Sequence, residues 1–242
     1  MGTAVKPYST DGSKKQQVEE MFDNIAGSYD FLNRLLSMRI DVYWRNVAIG
    51  LLKDLNPKTI LDVATGTADT AIALCKKLQP TKIVGVDISN KMLDVGRVKI
   101  KEKELNNIIE LQQGDSENLQ FDDNMFDAAT ITFGIRNFEN VGKGLEEILR
   151  CLRPGGRLVI LEFARPRNFP LKQLFNIYFK YVLPLIGKLT SKDPRAYTYL
   201  YESVQAFPDR EAFVALMDKA GYKNTNFKSL TIGICCIYLG EK

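Results

Sequence analysis

The sequence lacks histidine altogether: none occurs among its 242 residues. This absence excludes mechanisms that depend on a histidine base, a histidine-containing catalytic triad or a histidine-ligated metal. No apolar run approaches the roughly 18 consecutive residues that a membrane-spanning helix needs. An excess of charge is also lacking, because 33 Lys and Arg stand against 29 Asp and Glu and leave a net charge of +4. So small an excess, spread along the chain, gives little support for a nucleic-acid partner.

Cysteine is scarce, and the four cysteines have neither zinc-site nor redox-motif spacing, which is typical of a reducing cytosol. They are Cys75, Cys151, Cys235 and Cys236. With 45% hydrophobic and 26% charged residues, the composition is that of a globular chain. We therefore expect a cytoplasmic protein with a packed core and no metal centre.

The composition and the apolar pattern divide the chain into regions. Residues 1–15 are polar and are expected to form a mobile arm. Residues 16–242 are expected to form one domain, with a helical cap over 16–55 and a helical insertion over 164–207 before the last strands. Within the cap, the pattern from 16 to 52 is helical.

Short apolar runs alternate with helical segments from residue 59 onward. The runs are 59–63, 82–87, 108–111, 126–132, 157–163, 222–229 and 231–239. The helices between the earlier runs are expected to end near Leu78, Leu105 and Leu152. Such alternation predicts an α/β fold built from right-handed βαβ units, with a parallel sheet and helices on both of its faces.

The segment 169–190 has a helical apolar face. Its members are Leu171, Leu174, Phe175, Tyr178, Val182, Leu185, Ile186 and Leu189. One interpretation is an insertion that covers the core; the other is an interfacial helix on a membrane, or a gate to a pocket for a lipid-tailed substrate. Lys180 in its middle and the following Pro184 exclude a spanning helix.

The first candidate site is the loop after the first strand, Asp62-Val63-Ala64-Thr65-Gly66-Thr67-Ala68-Asp69. Its small residues let the backbone approach a ligand, and the next helix begins there with free N–H groups. The alternative is a tight turn that binds nothing. Asp87 ends the second strand, where an acid can accept hydrogen bonds from a ribose diol. A solvated capping acid is the alternative there.

The charges of this loop narrow the class of ligand. A nicotinamide dinucleotide needs a pyrophosphate cradle such as G-x-G-x-x-G. Here only Gly66 is a glycine, and Asp62 and Asp69 would repel phosphates. S-adenosylmethionine, which has a sulfonium, an adenosine and an amino-acid tail, fits these charges better.

Several segments together resemble a known family. The Asp62–Thr67 loop, Asp87, Gly114-Asp115 and Pro154-Gly155-Gly156 are similar to the successive motifs of class I S-adenosylmethionine-dependent methyltransferases. Three further segments resemble signatures of the ubiquinone/menaquinone biosynthesis C-methyltransferases. These are Phe22-Asp23-Asn24-Ile25-Ala26-Gly27-Ser28-Tyr29-Asp30, Thr132-Phe133-Gly134-Ile135-Arg136-Asn137 and Tyr197-Thr198-Tyr199-Leu200-Tyr201-Glu202-Ser203. Ala64 and Ala68 depart from the glycines common in the wider superfamily.

The resemblance implies a Rossmann-like, mostly parallel seven-stranded sheet and a set of cofactor-binding residues. The implied set is Thr67, Asp87, Asp115, Ser116 and Thr132. Thr67 is expected near the methionine carboxylate, Asp87 at the ribose, Asp115 and Ser116 at the adenine edge, and Thr132 facing the sulfonium.

The catalytic candidates are Arg136, Asn137 and Tyr29. Arg136 and Asn137 follow the fourth strand, next to the expected position of the methyl group; a loop arginine paired with a surface acid is the alternative. Tyr29 is equally well explained as core or lid packing. The role of Glu162, whether structural or facing the substrate, stays open.

The resemblance implies C-methylation of a polyprenylated quinol, with demethylmenaquinol converted to menaquinol. The alternative substrate is the methoxy-polyprenyl benzoquinol of ubiquinone synthesis; a nucleic-acid methyltransferase or a non-enzymatic nucleotide-binding module are further alternatives. A carboxylate, Tyr29 or a bound water is expected to serve as base, since histidine is absent. Peripheral contact with the inner face of a membrane through 169–190 is a further expectation, and the oligomeric state stays open.

Overall fold

The computed structural model describes residues 5–8, 11–37, 39–182, 193 and 195–242. Its centre is a seven-stranded sheet in the order β3-β2-β1-β4-β5-β7-β6. The strands are β1 Thr59–Val63, β2 Lys82–Asp87, β3 Ile109–Gln113, β4 Phe126–Thr132, β5 Leu152–Phe163, β6 Lys223–Leu230 and β7 Cys235–Glu241. All pairs from β3 to β5 are parallel, and β7 runs antiparallel to β5 and β6. The predicted fold class is therefore confirmed.

Helices cover both faces of the sheet and its carboxyl edge. They are α1 Lys14–Ile25, α2 Tyr29–Leu36, α3 Ile40–Gly50, α4 Asp69–Leu78, α5 Asn90–Glu102, α6 Val141–Cys151, α7 Leu171–Ile177, α8 Arg195–Ala206 and α9 Glu211–Lys219. Single 3₁₀ turns span Ile135–Asn137 and Thr231–Gly233, and a π-helical turn over Tyr178–Val182 continues α7. No helix of the described ranges is long and apolar enough to cross a membrane.

The core has two halves because successive side chains of a strand point to opposite faces of the sheet. On β5, Leu158 and Ile160 pack on the side of α6 and α9, whereas Val159 and Leu161 pack on the side of α3 and α4. All four side chains are at most 1% exposed. This burial on both faces explains why the parallel strands appear in the sequence as continuous apolar runs.

Several expected elements differ from the structure, and two of them change the path of the chain. The helical pattern over 16–52 is three helices, because the chain turns after Ile25 and again before Ile40, where Arg39 has a φ of 64°. The strand expected over 231–239 begins only at Cys235, because residues 231–233 form a 3₁₀ turn that reverses the chain between β6 and β7. Such a short connection allows only an antiparallel pair.

The segment 169–190 is shorter as an α-helix than its apolar pattern predicts. Residues 171–177 are α-helical and 178–182 form the π turn. Its apolar residues also divide, since Phe175 and Phe179 are buried against Val204 whereas Leu174 is 58% exposed. Pro184 and the rest of the predicted face, Leu185, Ile186 and Leu189, lie outside the described residues.

The amino-terminal helices cover the carboxyl edge of the sheet. Helix α1 packs on α8 through Val18, Met21 and Ile25. Lys14, the first residue of α1, is buried and its ammonium donates to the carbonyl oxygens of Arg136 (2.8 Å) and Phe138. The predicted arm over residues 1–15 and the domain limits stay predictions, although Lys14 and the residue after it already belong to α1.

Candidate active site

The loop after β1 is held against the end of β2 by its own backbone. The N–H of Thr65 donates to the carbonyl of Val86 (3.0 Å), and the N–H of Gly66 donates to Asp87 Oδ2 (2.8 Å). Ala64, Gly66 and Ala68 have φ values of 53°, 55° and 64°. The two alanines thus adopt the conformation that glycine favours, at a cost of about 1 kcal/mol or more each. Their departure from the superfamily pattern does not change the path of the loop.

Asp87 ends β2 and accepts two backbone hydrogen bonds, from Gly66 and from Ser89 (2.9 Å). Burial raises the pKa of its carboxyl to about 6. A carboxylate has about four lone-pair sites. Asp87 can therefore accept further hydrogen bonds from a molecule in the cavity that it lines at the carboxyl edge of the sheet. It is therefore equipped to accept hydrogen bonds from a diol.

Asp115 and Ser116 follow β3, the strand next to β2, and line the same cavity as Asp87. Asp115 accepts from the N–H of Glu117 (2.9 Å) and forms an ion pair with the ammonium of Lys15 in α1. The sequence had given no sign that Lys15 enters this site, since α1 and β3 are far apart along the chain.

A first cavity of about 690 Å³, including its open mouth, lies at the carboxyl ends of β1, β2 and β4. This is where the strand order reverses, the usual ligand position in open α/β sheets. Its walls bring together four of the five predicted cofactor residues. They are Asp87, Asp115, Ser116 and Thr132. Close backbone approach is required here, because a Cβ on Gly134 would lie 2.4 Å from the Cβ of Ala64.

Thr67 is the predicted cofactor residue that this cavity does not include. Its hydroxyl donates to Asp30 Oδ1 in α2 (2.6 Å) and accepts from Lys99 Nζ (3.2 Å). Lys99 also donates to Asp30 Oδ2 (2.8 Å) and to Asp69. Thr67 thus belongs to a polar cluster that fastens α2 to α4 and α5.

A second, larger cavity of about 1910 Å³, including its mouth, lies beneath α2, α3, α7 and α8. Its apolar wall is largely aromatic, with Trp44, Phe133, Phe163, Phe175, Tyr178 and Phe179. The rings of Phe133 and Phe163 stack with centroids 4.6 Å apart. The two cavities meet at residues that line both: Phe22, Tyr29, Ala64, Gly66, Thr132 and Phe133.

Arg136 supplies a fixed positive charge to the second cavity. Its side chain is 8% exposed, and its guanidinium donates from Nη1 to Glu162 Oε1 (2.9 Å) and lies 5.7 Å from the centre of the Phe163 ring. Glu162, at the end of β5, is fully buried, and burial raises the pKa of its carboxyl while Arg136 opposes that rise. The alternative interpretation of Arg136 was a loop arginine paired with a surface acid. Arg136 is indeed paired with an acid, but that acid is Glu162, which is buried and lies at the site.

Asn137 faces the other way. Its side chain lines the first cavity, and its Oδ1 has no hydrogen-bond partner within the described ranges. Residues of a 3₁₀ turn point about 120° apart, which explains why Arg136 and Asn137 serve different cavities.

Tyr29, the first residue of α2, lies where the cavities meet. Its ring packs edge-on against Phe22, with centroids 6.0 Å apart. Burial raises the pKa of its hydroxyl, although the positive charge of Arg136 lowers it. At neutral pH the phenol is protonated, so Tyr29 can donate a hydrogen bond but is a weak base.

This sheet order is the Rossmann-like fold of class I S-adenosylmethionine-dependent methyltransferases. An S-adenosylmethionine-dependent methyltransferase from Thermotoga maritima shares the fold, with a TM-score of 0.66 and 17% identity over 93% of this chain and 99% of that one.

The particular family follows from the sequence. Residues 10–242 match the ubiE/COQ5 methyltransferase family, and the chain belongs to it. The demethylmenaquinone methyltransferase of Bacteroides fragilis is 50% identical, over 98% of this chain and 97% of its own. The ubiquinone/menaquinone biosynthesis C-methyltransferase of Geotalea daltonii is 45% identical, over 95% and 97%. The predicted family and S-adenosylmethionine-dependent methyl transfer are thereby confirmed.

Proposed function

We propose that this methyltransferase methylates a ring carbon of a polyprenylated quinol and converts demethylmenaquinol to menaquinol. Its B. fragilis relative is named for that substrate, and the Geotalea relative for both quinone pathways. The methoxy-polyprenyl benzoquinol is therefore the alternative substrate. The observation that carries the proposal is the pair of joined cavities, one polar and one aromatic.

The aromatic cavity suits a substrate with a ring and a long hydrocarbon tail. Its wall from Phe133 and Phe163 to Phe175 and Leu174 is apolar, and Leu174 reaches the surface. Binding sites for apolar ligands have such walls and few polar groups, which fix the orientation of the ligand. Three described arginines line this cavity, Arg34, Arg45 and Arg136, and the side chain of Arg136 is the least exposed of them. Because Arg136 lies over the Phe163 ring, we place the quinol ring next to it and the tail along the aromatic wall.

The polar cavity fits S-adenosylmethionine by the chemistry of its donors and acceptors. Asp87 would accept from the ribose hydroxyls, Asp115 and Ser116 would meet the adenine edge, and Thr132 lies where the two cavities join. When bound, S-adenosylmethionine supplies a methyl group on a positively charged sulfur. We assign a structural role to Thr67 instead. Its hydroxyl is hydrogen-bonded to Asp30 and so holds α2 over the site.

Arg136 would stabilise the charge that the reaction develops. A quinol carbon becomes nucleophilic when a neighbouring ring hydroxyl loses its proton, and the guanidinium lies ready to stabilise the resulting oxyanion. Because the Glu162 ion pair already fixes its position, little reorganisation is needed, which is the condition for strong electrostatic catalysis. Tyr29 would add a hydrogen bond, and a carboxylate or a bound water would take the proton. The ring carbon would then take the methyl group while the sulfur keeps the electron pair of the broken S–C bond. Loss of the C–H proton from that carbon to the same base or to water, with return of a proton to the ring oxygen, would restore the aromatic ring; this chemistry needs no metal.

Contact with a membrane surface would bring the lipid-tailed substrate to the cavity. Leu174, Ile177 and Tyr181 are 58%, 53% and 61% exposed on α7 and its π turn. Lys172 and Lys180 lie beside them, also exposed, and would meet anionic head groups. We propose peripheral binding through this face. Phe175 and Tyr178, which belong to the predicted apolar face of 169–190, line the second cavity instead.

The substrate is tested by offering several acceptors in parallel. Methyl-labelled S-adenosylmethionine is incubated with reduced short-chain demethylnaphthoquinol, with the methoxy benzoquinol of equal tail length, and with bulk RNA. We expect the fastest labelling in the naphthoquinol. Faster labelling of the benzoquinol would favour the alternative substrate, and labelling of RNA alone would contradict the proposal.

A further inference from the structure

Three buried side-chain atoms have no hydrogen-bond partner within the described part of the chain: Arg136 Nε, Asn137 Oδ1 and the hydroxyl of Tyr199. All three residues line one of the two joined cavities. A buried polar group without a partner is costly, so unpaired groups that gather around a cavity indicate where a ligand supplies the missing bonds. Arg136 already has a proposed role and Asn137 is a catalytic candidate from the sequence, whereas Tyr199 has no role so far.

Tyr199 is held firmly but its hydroxyl is bonded to nothing described. It lies on α8, is 1% exposed and packs in a cluster with Val18, Met21 and Ile25 of α1. It lines the aromatic cavity together with Arg136. If packing were the only role of the ring, phenylalanine would serve without burying a hydroxyl.

The electrostatics of this position favour a hydrogen-bond donor. Burial raises the pKa of the Tyr199 hydroxyl to about 12, against the lowering effect of the positive charge of Arg136. The phenol is thus protonated at neutral pH. Tyr199 lies in a cavity that aromatic and charged residues line together. A protonated hydroxyl there favours a ligand with an oxygen acceptor, and the ring oxygens are the polar atoms of a prenylated quinol.

We infer that Tyr199 is a substrate-binding residue whose hydroxyl donates a hydrogen bond to a ring oxygen of the quinol, in the cavity that Arg136 also lines. The inference rests on the proposed function and adds a residue to it. The bond orients the ring and is made before methyl transfer, so it affects binding of the quinol even when S-adenosylmethionine is absent.

The test uses Tyr199→Phe, which removes only the hydroxyl, and measures quinol binding without the methyl donor. Trp44, the single tryptophan, lines the same cavity, so quenching of its fluorescence by reduced short-chain demethylnaphthoquinol reports the Kd. Loss of one neutral hydrogen bond should raise the Kd roughly 2- to 10-fold. A naphthalene with the same tail but no ring oxygen should bind the wild type and Tyr199→Phe equally.

The matched control is Tyr222→Phe, whose hydroxyl donates to the carbonyl of Leu145 in the core (3.0 Å) and lines neither cavity. Tyr222→Phe should lower the melting temperature and leave the Kd unchanged, whereas Tyr199→Phe should leave the melting temperature unchanged. Equal Kd values for the wild type and Tyr199→Phe would overturn the inference alone. A wild-type protein that binds and methylates no quinol would overturn the proposed function, and the inference with it.

Discussion

Replacing Arg136 separates its two roles, which are to stabilise an oxyanion and to neutralise Glu162. In Arg136→Met the buried carboxyl of Glu162 loses its charged partner at 2.9 Å. Breaking a buried pair by removing one member costs about 3–5 kcal/mol. We therefore expect a large fall in the free energy of unfolding, measured by urea denaturation, in addition to any loss of activity.

The double variant Arg136→Met/Glu162→Gln removes the unpaired charge. The amide oxygen of the new glutamine would still accept from the N–H of Phe163, which donates to Glu162 at 2.8 Å. Replacing both members of a buried pair with neutral groups is often without cost or stabilising. The double variant should therefore regain most of the lost stability.

Turnover should not return with stability. Loss of one preorganised oxyanion group costs roughly 100- to 1,000-fold in rate, so both variants should be slow in a single-turnover methyl-transfer assay. Arg136→Lys should recover only part of the rate, since an ammonium cannot reproduce the planar fork. Near-normal turnover in the stable double variant would refute the role given to Arg136.

Three further predictions concern the cofactor, the membrane and Tyr29. Because the pKa of Asp87 is raised to about 6, its carboxylate is lost as pH falls through 6; the Kd for S-adenosylmethionine, measured by calorimetry, should rise there. Asp87→Asn should bind weakly at every pH, and a wild-type Kd that is constant from pH 5 to 8 would exclude Asp87 from the ribose site. Replacing Leu174, Ile177 and Tyr181 with Ser should abolish sedimentation with anionic liposomes while methylation of a tail-less quinol continues; unchanged sedimentation would remove this face from the membrane contact. Tyr29→Phe should slow turnover at neutral pH, and its rate should recover as pH rises and the quinol ionises unaided; a wild-type rate at every pH would exclude the hydroxyl from the mechanism.

The sequence allowed most of the proposed cofactor residues to be placed together, because parallel strands carry the residues at their carboxyl ends to one edge of the sheet. Asp87, Asp115 and Thr132 each follow or end a strand, so their meeting follows from the strand order. The fold class follows from the same alternation of strands and helices.

Contacts between distant segments could not be predicted in this way. No local pattern indicated that Glu162 pairs with Arg136, or that the hydroxyl of Thr67 is hydrogen-bonded to Asp30 of α2. Apolar periodicity also does not distinguish side chains that face a cavity from those that face solvent. For that reason Phe175, which is buried, and Leu174, which is exposed, had the same predicted role.

The most direct test of the proposed function is to locate the transferred methyl group. The protein is incubated under nitrogen with ¹³C-methyl S-adenosylmethionine and short-chain demethylnaphthoquinol, and in parallel with the oxidised quinone, and the products are examined by NMR. The proposed mechanism predicts the label as a ring-carbon methyl group from the reduced substrate only, since only the quinol forms the oxyanion that Arg136 stabilises. Label on oxygen as a methoxy group, or equal labelling of the oxidised quinone, would contradict it.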